Sequence, residues 1–139
     1  MKNTASLFTD NVTELLVKII EFTQTRQKIL TLNINSIHNP GFAPKDLAVD
    51  EFCSSLSNAI NEHITNSRLV LCDTENIKFG TGGSFSVEPV TDKHAKQLLE
   101  KNQDEYIELQ INKLLENSLN QRIAVELLRQ KQGTTSVFE

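Results

Sequence analysis

The apolar positions of this chain fall into three runs of helical spacing, joined by shorter extended patches. Val12, Leu15, Leu16, Ile19 and Ile20 recur at the 3.6-residue period, and Ile29, Leu30, Ile34 and Ile37 resume the stripe beyond a more polar interval at Thr23, Gln24, Thr25 and Arg26. Asn11 and Glu14 have capping-box spacing, so this helix is expected to begin at Asn11. Val49, Phe52, Leu56, Ala59, Ile60 and Ile64 predict a second, shorter helix. In the third run, Ala95, Leu98, Leu99, Asn102, Tyr106 and Leu109 mark one stripe. Ile111, Leu114, Leu115, Leu119, Ile123 and Leu127 mark another, rotated from the first. One neighbouring helix cannot cover both stripes; two or more can. Thr91 and Asp92 stand where a cap and a first-turn acid belong, Arg129 and Lys131 suit the negative end of the helix dipole, and Gly133 is the expected stop.

The helix breakers sharpen this division. Prolines 40, 44 and 89 and glycines 41, 80, 82 and 83 all lie in the middle of the chain, leaving 1–39 and, up to Gly133, 90–139 without either residue. Asn39-Pro40-Gly41 ends the first arm, since proline disfavours helix in the residue before it and Pro-Gly suits the centre of a type II turn. In the middle, Leu69-Val70-Leu71 and Ile77-Lys78-Phe79 read as short strands. Gly80-Thr81-Gly82-Gly83 separates the second of these from Phe85-Ser86-Val87, and the pattern reads as a hairpin or a mobile loop. The expected fold is mainly α: long N- and C-terminal helices packed side by side in a coiled-coil-like way, with a short middle segment of helix, minor β and loop. The chain is read as one elongated unit over 1–139, with arms 1–39 and 90–139 and a middle segment 40–89. A single helix from Thr91 to Lys131 would run about 60 Å, against a diameter of roughly 37 Å for a compact globule of this size. Either that helix breaks or the molecule is elongated and packs against other chains.

Composition narrows the function. The chain has 139 residues, 14 Lys+Arg against 18 Asp+Glu, 38% apolar residues, 6% aromatic and no Trp. The mild acidity and the lack of a basic block argue against nucleic-acid binding, which needs clustered cations. No apolar run reaches the ~20 residues of a bilayer span, and from residues 1–10, with one Lys and no continuous apolar stretch, no cleavable secretion signal is expected. Two cysteines are too few for a disulfide scaffold. Cys53, beside Phe52 and Leu56, and Cys72, after Leu69-Val70-Leu71, are expected to be small buried apolar groups rather than a required bridge.

Candidate chemistry is sparse. The glycine-rich stretch at Gly80 lacks the Lys-Ser/Thr of a phosphate-binding loop. His38, His63, His94, Cys53 and Cys72 show no paired metal-ligand spacing. Asp50-Glu51 and Asp104-Glu105 suit solvated helix faces rather than a carboxylate pair. A small hydrolase using His63 and Cys53 would require those side chains to meet in a pocket. The expectation is therefore no enzyme, with no catalytic, cofactor or metal residues, no cofactor and no small-molecule substrate.

The segment around the turn carries more information. Asn33-Ile34-Asn35-Ser36-Ile37-His38-Asn39-Pro40-Gly41-Phe42 resembles the signature of bacterial flagellar axial proteins, Asn-Ile-Ala-Asn-x-x-Thr-Pro-Gly-Tyr after an N-terminal helix. It is most similar to the small rod-protein type of the proximal rod. In that type the motif runs on to Arg-Asp and a short helix, as Lys45-Asp46 and the Val49–Ile64 run do here. Asn102-Gln103-Asp104-Glu105-Tyr106 resembles that family's Asn-Gln-x-x-Tyr in the last helix, and Val87-Glu88 resembles its preceding Val-Asp. The chain departs from the pattern at Asn35-Ser36, Asn39 and Phe42, and its C-terminal arm is longer.

The resemblance implies a structural subunit of the flagellar basal body that assembles helically in the periplasmic rod and is exported by the type III route without a cleavable signal. Asn33, Ile34, Asn39, Pro40, Gly41, Phe42, Asn102, Gln103 and Tyr106 would be its motif and assembly residues. The implied partners are copies of itself, other rod subunits, the hook-basal-body adaptor protein, the inner-membrane ring and the export gate. The alternative reading is a cytoplasmic helical adaptor or export chaperone acting as an oligomer.

Overall fold

The structure, a computed structural model, describes residues 4–80 and 85–138, with side chains placed over 11–80 and 85–133. Helix α1 (Thr4–Asn35) is followed by strand β1 (Lys45–Asp46), helix α2 (Val49–Asn66), strands β2 (Ile77–Lys78), β3 (Ser86–Val87) and β4 (Val90–Thr91), and helices α3 (Lys93–Lys101) and α4 (Gln103–Phe138). The molecule is mainly helical, and the two long helices α1 and α4 pack together.

The start of α1 differs from the sequence expectation. The helix already runs at Thr4, so Asn11 lies inside it and is not a cap. Its buried side chain crosses to α2 instead, donating from Nδ2 to the Ser67 carbonyl at 3.4 Å and lying 3.3 Å from His63 Nδ1. A capping box is a local pattern, and here the same polar side chain is used for a tertiary contact. The far end of α1 behaves as expected. After Asn35 the chain turns, Phe42 N–H donates to the Asn39 carbonyl at 3.2 Å, and Gly41 between them has φ +74°. Pro40 and Gly41 thus occupy the centre of a type II turn, where the second position needs positive φ.

Helix α2 spans its predicted range and two residues more. Its end is closed by Ser67 in the left-handed conformation (φ 56°), with the Ser67 N–H donating to the His63 carbonyl. Leu69-Val70-Leu71 forms no strand, because no partner strand lies beside it among the described residues. Ile77-Lys78 and Ser86-Val87 do pair, antiparallel, with Ile77 opposite Val87. The loop between them at residues 81–84, where the glycine-rich turn is expected, lies outside the described residues. A second antiparallel pair, absent from the sequence reading, joins β1 to β4 and sets Lys45 opposite Thr91 and Asp46 opposite Val90. It ties the two ends of the middle segment together.

The apolar core lies where α1, α2 and the hairpin meet: Phe22, Leu47, Phe52, Ile77 and Phe79 are all nearly inaccessible. The Phe22 and Phe52 rings stack with centroids 4.0 Å apart and planes within 2°, while Phe79 and Phe85 lie 5.5 Å apart at 30°. Ring pairs of this kind add about 0.5–1.5 kcal/mol beyond the apolar area they bury. Lys18, almost fully buried, places Nζ 5.1 Å from the Phe85 ring centre while pairing with Glu14 and Glu21.

The third apolar run does not form one helix. It breaks at Asn102, which is extended (φ -152°, ψ 100°) and separates α3 from α4. Asp92, expected as a first-turn acid behind a Thr91 cap, is itself the cap of α3, accepting from Ala95 N–H at 3.0 Å, while Thr91 lies in β4. Gly133 is not a stop: α4 continues to Phe138, so Arg129 and Lys131 are not its last turn. Both cysteines differ from expectation in being exposed rather than buried. Cys53 and Cys72 are free thiols. Cys53 follows Phe52 on α2, and Cys72 follows the irregular stretch after α2.

Candidate functional site

The face of α4 that meets α1 is polar. Tyr106, Gln110, Asn117 and Ala124 are buried and Lys113 is largely covered, at steps of four, three, four and seven residues that keep one side of a helix turned inward. Opposite them α1 presents Thr23, Arg26, Leu30 and Asn33, all buried. The bonds between the two sets run in opposite chain directions. Asn33 meets Tyr106 and Gln110, whereas Thr23, ten residues earlier, meets Asn117. The helices are therefore antiparallel.

Asn33 is the centre of this seam. Its amide Nδ2 donates to Gln110 Oε1 at 3.0 Å and to the Lys45 carbonyl at 2.7 Å, and its Oδ1 accepts from Lys45 N–H at 3.2 Å. One side chain thus clamps the backbone of β1 in both directions and reaches α4. The Tyr106 hydroxyl donates to the Asn33 carbonyl at 2.8 Å. That carbonyl belongs to the last turn of α1, where no i+4 amide of the helix remains to satisfy it. Farther along, Asn117 Nδ2 donates to the Thr23 carbonyl at 2.8 Å. A helical carbonyl keeps a second lone pair beyond its own helix bond, and the Asn117 amide uses it, while the Thr23 hydroxyl is engaged with the Ile19 and Ile20 carbonyls.

Beside the Asn33 clamp lies an ion cluster. The Arg26 guanidinium grips the Asp46 carboxylate with two bonds, Nε to Oδ1 at 2.8 Å and Nη2 to Oδ2 at 3.0 Å. Lys113 Nζ bridges Asp46 Oδ2 at 3.2 Å and Asp92 Oδ2 at 2.6 Å. Asp92 spends its other oxygen on capping α3, and Asp46 Oδ1 also accepts from Leu47 N–H at 2.7 Å. Two cations thus face two carboxylates in a partly desolvated space, joining α1, β1, α4 and the start of α3. Burial pushes the Asp46 carboxyl up, but the Arg26 bond and the charges of Arg26 and Lys113 outweigh it and hold the group below its ordinary value. The Tyr106 phenol moves the other way, pushed up to about 12 by burial and by the Asp92 charge.

The nine motif residues do not behave alike. Asn33 and Tyr106 are brought into contact. Asn102 accepts from Glu105 N–H through Oδ1 at 3.2 Å and so opens α4, whose first residue is the exposed Gln103. Asn39, Pro40, Gly41 and Phe42 form the turn without touching the seam in any bond described, and Ile34 is half-buried beside Asn33. Gln110, Lys113, Asn117 and Arg26 escaped the sequence reading because its stripes followed apolar residues. The signal that locates the three on α4 is the 106-110-113-117 spacing, which is helical but polar. Asp46 stood in the sequence resemblance; its partners did not.

The seam's charges pair with one another, its asparagine amides bind backbone, and Gln110 accepts from the Asn33 side chain while its own Nε2 is buried without a partner among the described residues. His63 and Cys53 are ten residues apart on α2, about 15 Å along the axis, and do not meet. Among the described residues no group of three His, Cys, Asp or Glu side chains could hold a metal ion, and no helix is long and apolar enough to cross a membrane. Comparison with family models, with curated proteins and with solved structures finds no match.

Proposed function

We propose that this chain is a structural subunit of the bacterial flagellar basal-body proximal rod, assembling helically with other rod proteins after type III export. The observation that carries this reading is the bond between the two halves of the signature: the Tyr106 hydroxyl donates to the Asn33 carbonyl across 73 residues of chain. Two sequence segments that resemble the axial-protein motif separately are held together as one piece of structure. Asn33 and Tyr106 fasten the antiparallel pair, Asn102 opens the C-terminal helix, and Pro40-Gly41 turns the chain into its middle segment. We read α1 and α4 as a short antiparallel coiled coil whose register is set by the polar seam, since a buried amide at a helix–helix contact selects one alignment at some cost in stability. The chain would act in the periplasmic rod, alongside other rod subunits, the hook-basal-body adaptor, the inner-membrane ring and the export gate, without catalysis or cofactor.

Affinity-purified basal bodies from the native host provide the test. The reading expects the chain in the rod fraction in stoichiometric amount, cross-linking to neighbouring rod subunits. Recovery only from the cytosol, bound to an export client, would contradict it and favour an adaptor or chaperone.

A further inference from the structure

The apolar residues left over after folding form two features that match. A groove of about 320 Å³ runs between α2 and α4, with Leu16 and Ile19 of α1 as its floor, Leu56 on one wall and Ile123 and Leu127 on the other. On the outer side of α4, Ile111, Leu115 and Leu119 follow one another at four-residue steps and are 44%, 64% and 59% exposed. We propose that this ridge docks in the groove of a second copy of the chain, so that copies join head to tail. The proposal rests on the reading of the chain as an assembly subunit and names the surface that joins its copies.

Three observations select a second copy as the occupant. The charged groups in the groove lining are Arg26, already engaged by Asp46, and Glu116 at its edge. The occupant therefore has to insert an uncharged strip, which the Ile111–Leu119 ridge provides and an acidic or basic partner does not. The ridge spans about 12 Å of helix axis and the α4 wall of the groove, from Glu116 to Leu127, about 16 Å, so the first fits within the second. Pairing ridge with ridge would leave the groove unfilled. The size of the contact fixes its strength: half of a helix ~10 Å across over ~16 Å covers about 250 Å² per side, well under the ~800 Å² per partner of a stable isolated pair. One junction is therefore weak, and it suits a repeated array in which each copy uses both surfaces. Because ridge and groove are different surfaces, the contact is heterologous and does not close on itself as a two-fold dimer does.

Sedimentation of the full chain between about 10 μM and 1 mM tests this, in a range where weak contacts populate. Leu115→Glu spoils the ridge and Cys53→Glu, at an exposed position in the groove lining, spoils the groove; circular dichroism verifies that both keep their helix. Wild type is expected to associate beyond the dimer as concentration rises. Each variant alone should lose at least tenfold in association. Their equimolar mixture should form dimers and nothing larger, because only one good junction can be made per pair. If Leu115→Glu abolishes association and Cys53→Glu leaves it intact, ridge pairs with ridge and the proposal is overturned. A wild type that stays monomeric throughout also overturns it. The rod reading is judged separately, by basal-body composition, and stands or falls without reference to this junction.

Discussion

The phenol of Tyr106 has exchanged water for one carbonyl of α1 and the field of Asp92, and both favour its protonated form. A folded-state value raised to about 12 from 10.0 means that the stabilisation is fully present below pH 10 and is lost as the pH climbs towards 12. The loss should be of order 2 kcal/mol, allowing for some solvent screening. Tyr106 is the chain's single tyrosine and there is no tryptophan, so phenolate absorbance reports this group alone. Tyr106→Phe should cost about 1–2 kcal/mol at neutral pH in urea unfolding and flatten the alkaline limb. Asp46 has the opposite sign. Its folded value lies below 3.8, so its contribution is present above that pH and disappears as acid titrates the bound carboxylate. Asp46→Asn should therefore lower stability at pH 7 and reduce the slope of stability below pH 4. Arg26→Ala, which leaves a buried carboxylate with Lys113 as its remaining cation partner in the cluster, should cost about 3 kcal/mol.

The elements differ in how far the sequence disclosed them. The α2 run, the Pro-Gly turn and the β2–β3 hairpin follow from period and breakers, which are local signals. The break at Asn102 does not, because the apolar stripe runs straight through it and neither glycine nor proline marks it. A short amide that can cap a new helix is the sole local sign. Pairs as short as β1–β4 carry no readable period, and the polar Lys45-Asp46 argues against a strand until its partner is known. The seam was the least legible feature, since Gln110 and Asn117 look like solvated positions unless the opposing helix is in view. Two element ends offer direct checks. At Gly41 an added Cβ meets nothing within 4 Å, so the difficulty of Gly41→Val is its φ of +74° alone. About 1–2 kcal/mol of destabilisation is expected, more than for Ala43→Val. Ser67 holds a left-handed cap with a side chain that opposes it, so Ser67→Gly should gain about 0.5–1 kcal/mol in denaturant midpoint measurements.

Across the whole molecule, α4 with its 36 residues is about 54 Å long, beyond the roughly 37 Å that a compact chain of this size spans. Only part of it is held by the seam, and its outer face keeps Ile111, Leu115 and Leu119 in solvent. In dilute solution, amide exchange should be slowest over Phe22–Asn33 and Tyr106–Asn117, where the seam joins the helices, and faster from Ala124 onward. An even profile along α4 would mean that the seam does not fasten the pair. The proposed function is tested most directly by electron microscopy of basal bodies from a strain lacking this chain, with and without the gene restored. A rod subunit predicts inner-membrane rings without a rod, and rods regained on complementation by wild type. Complete rods in the deletion strain would contradict the account.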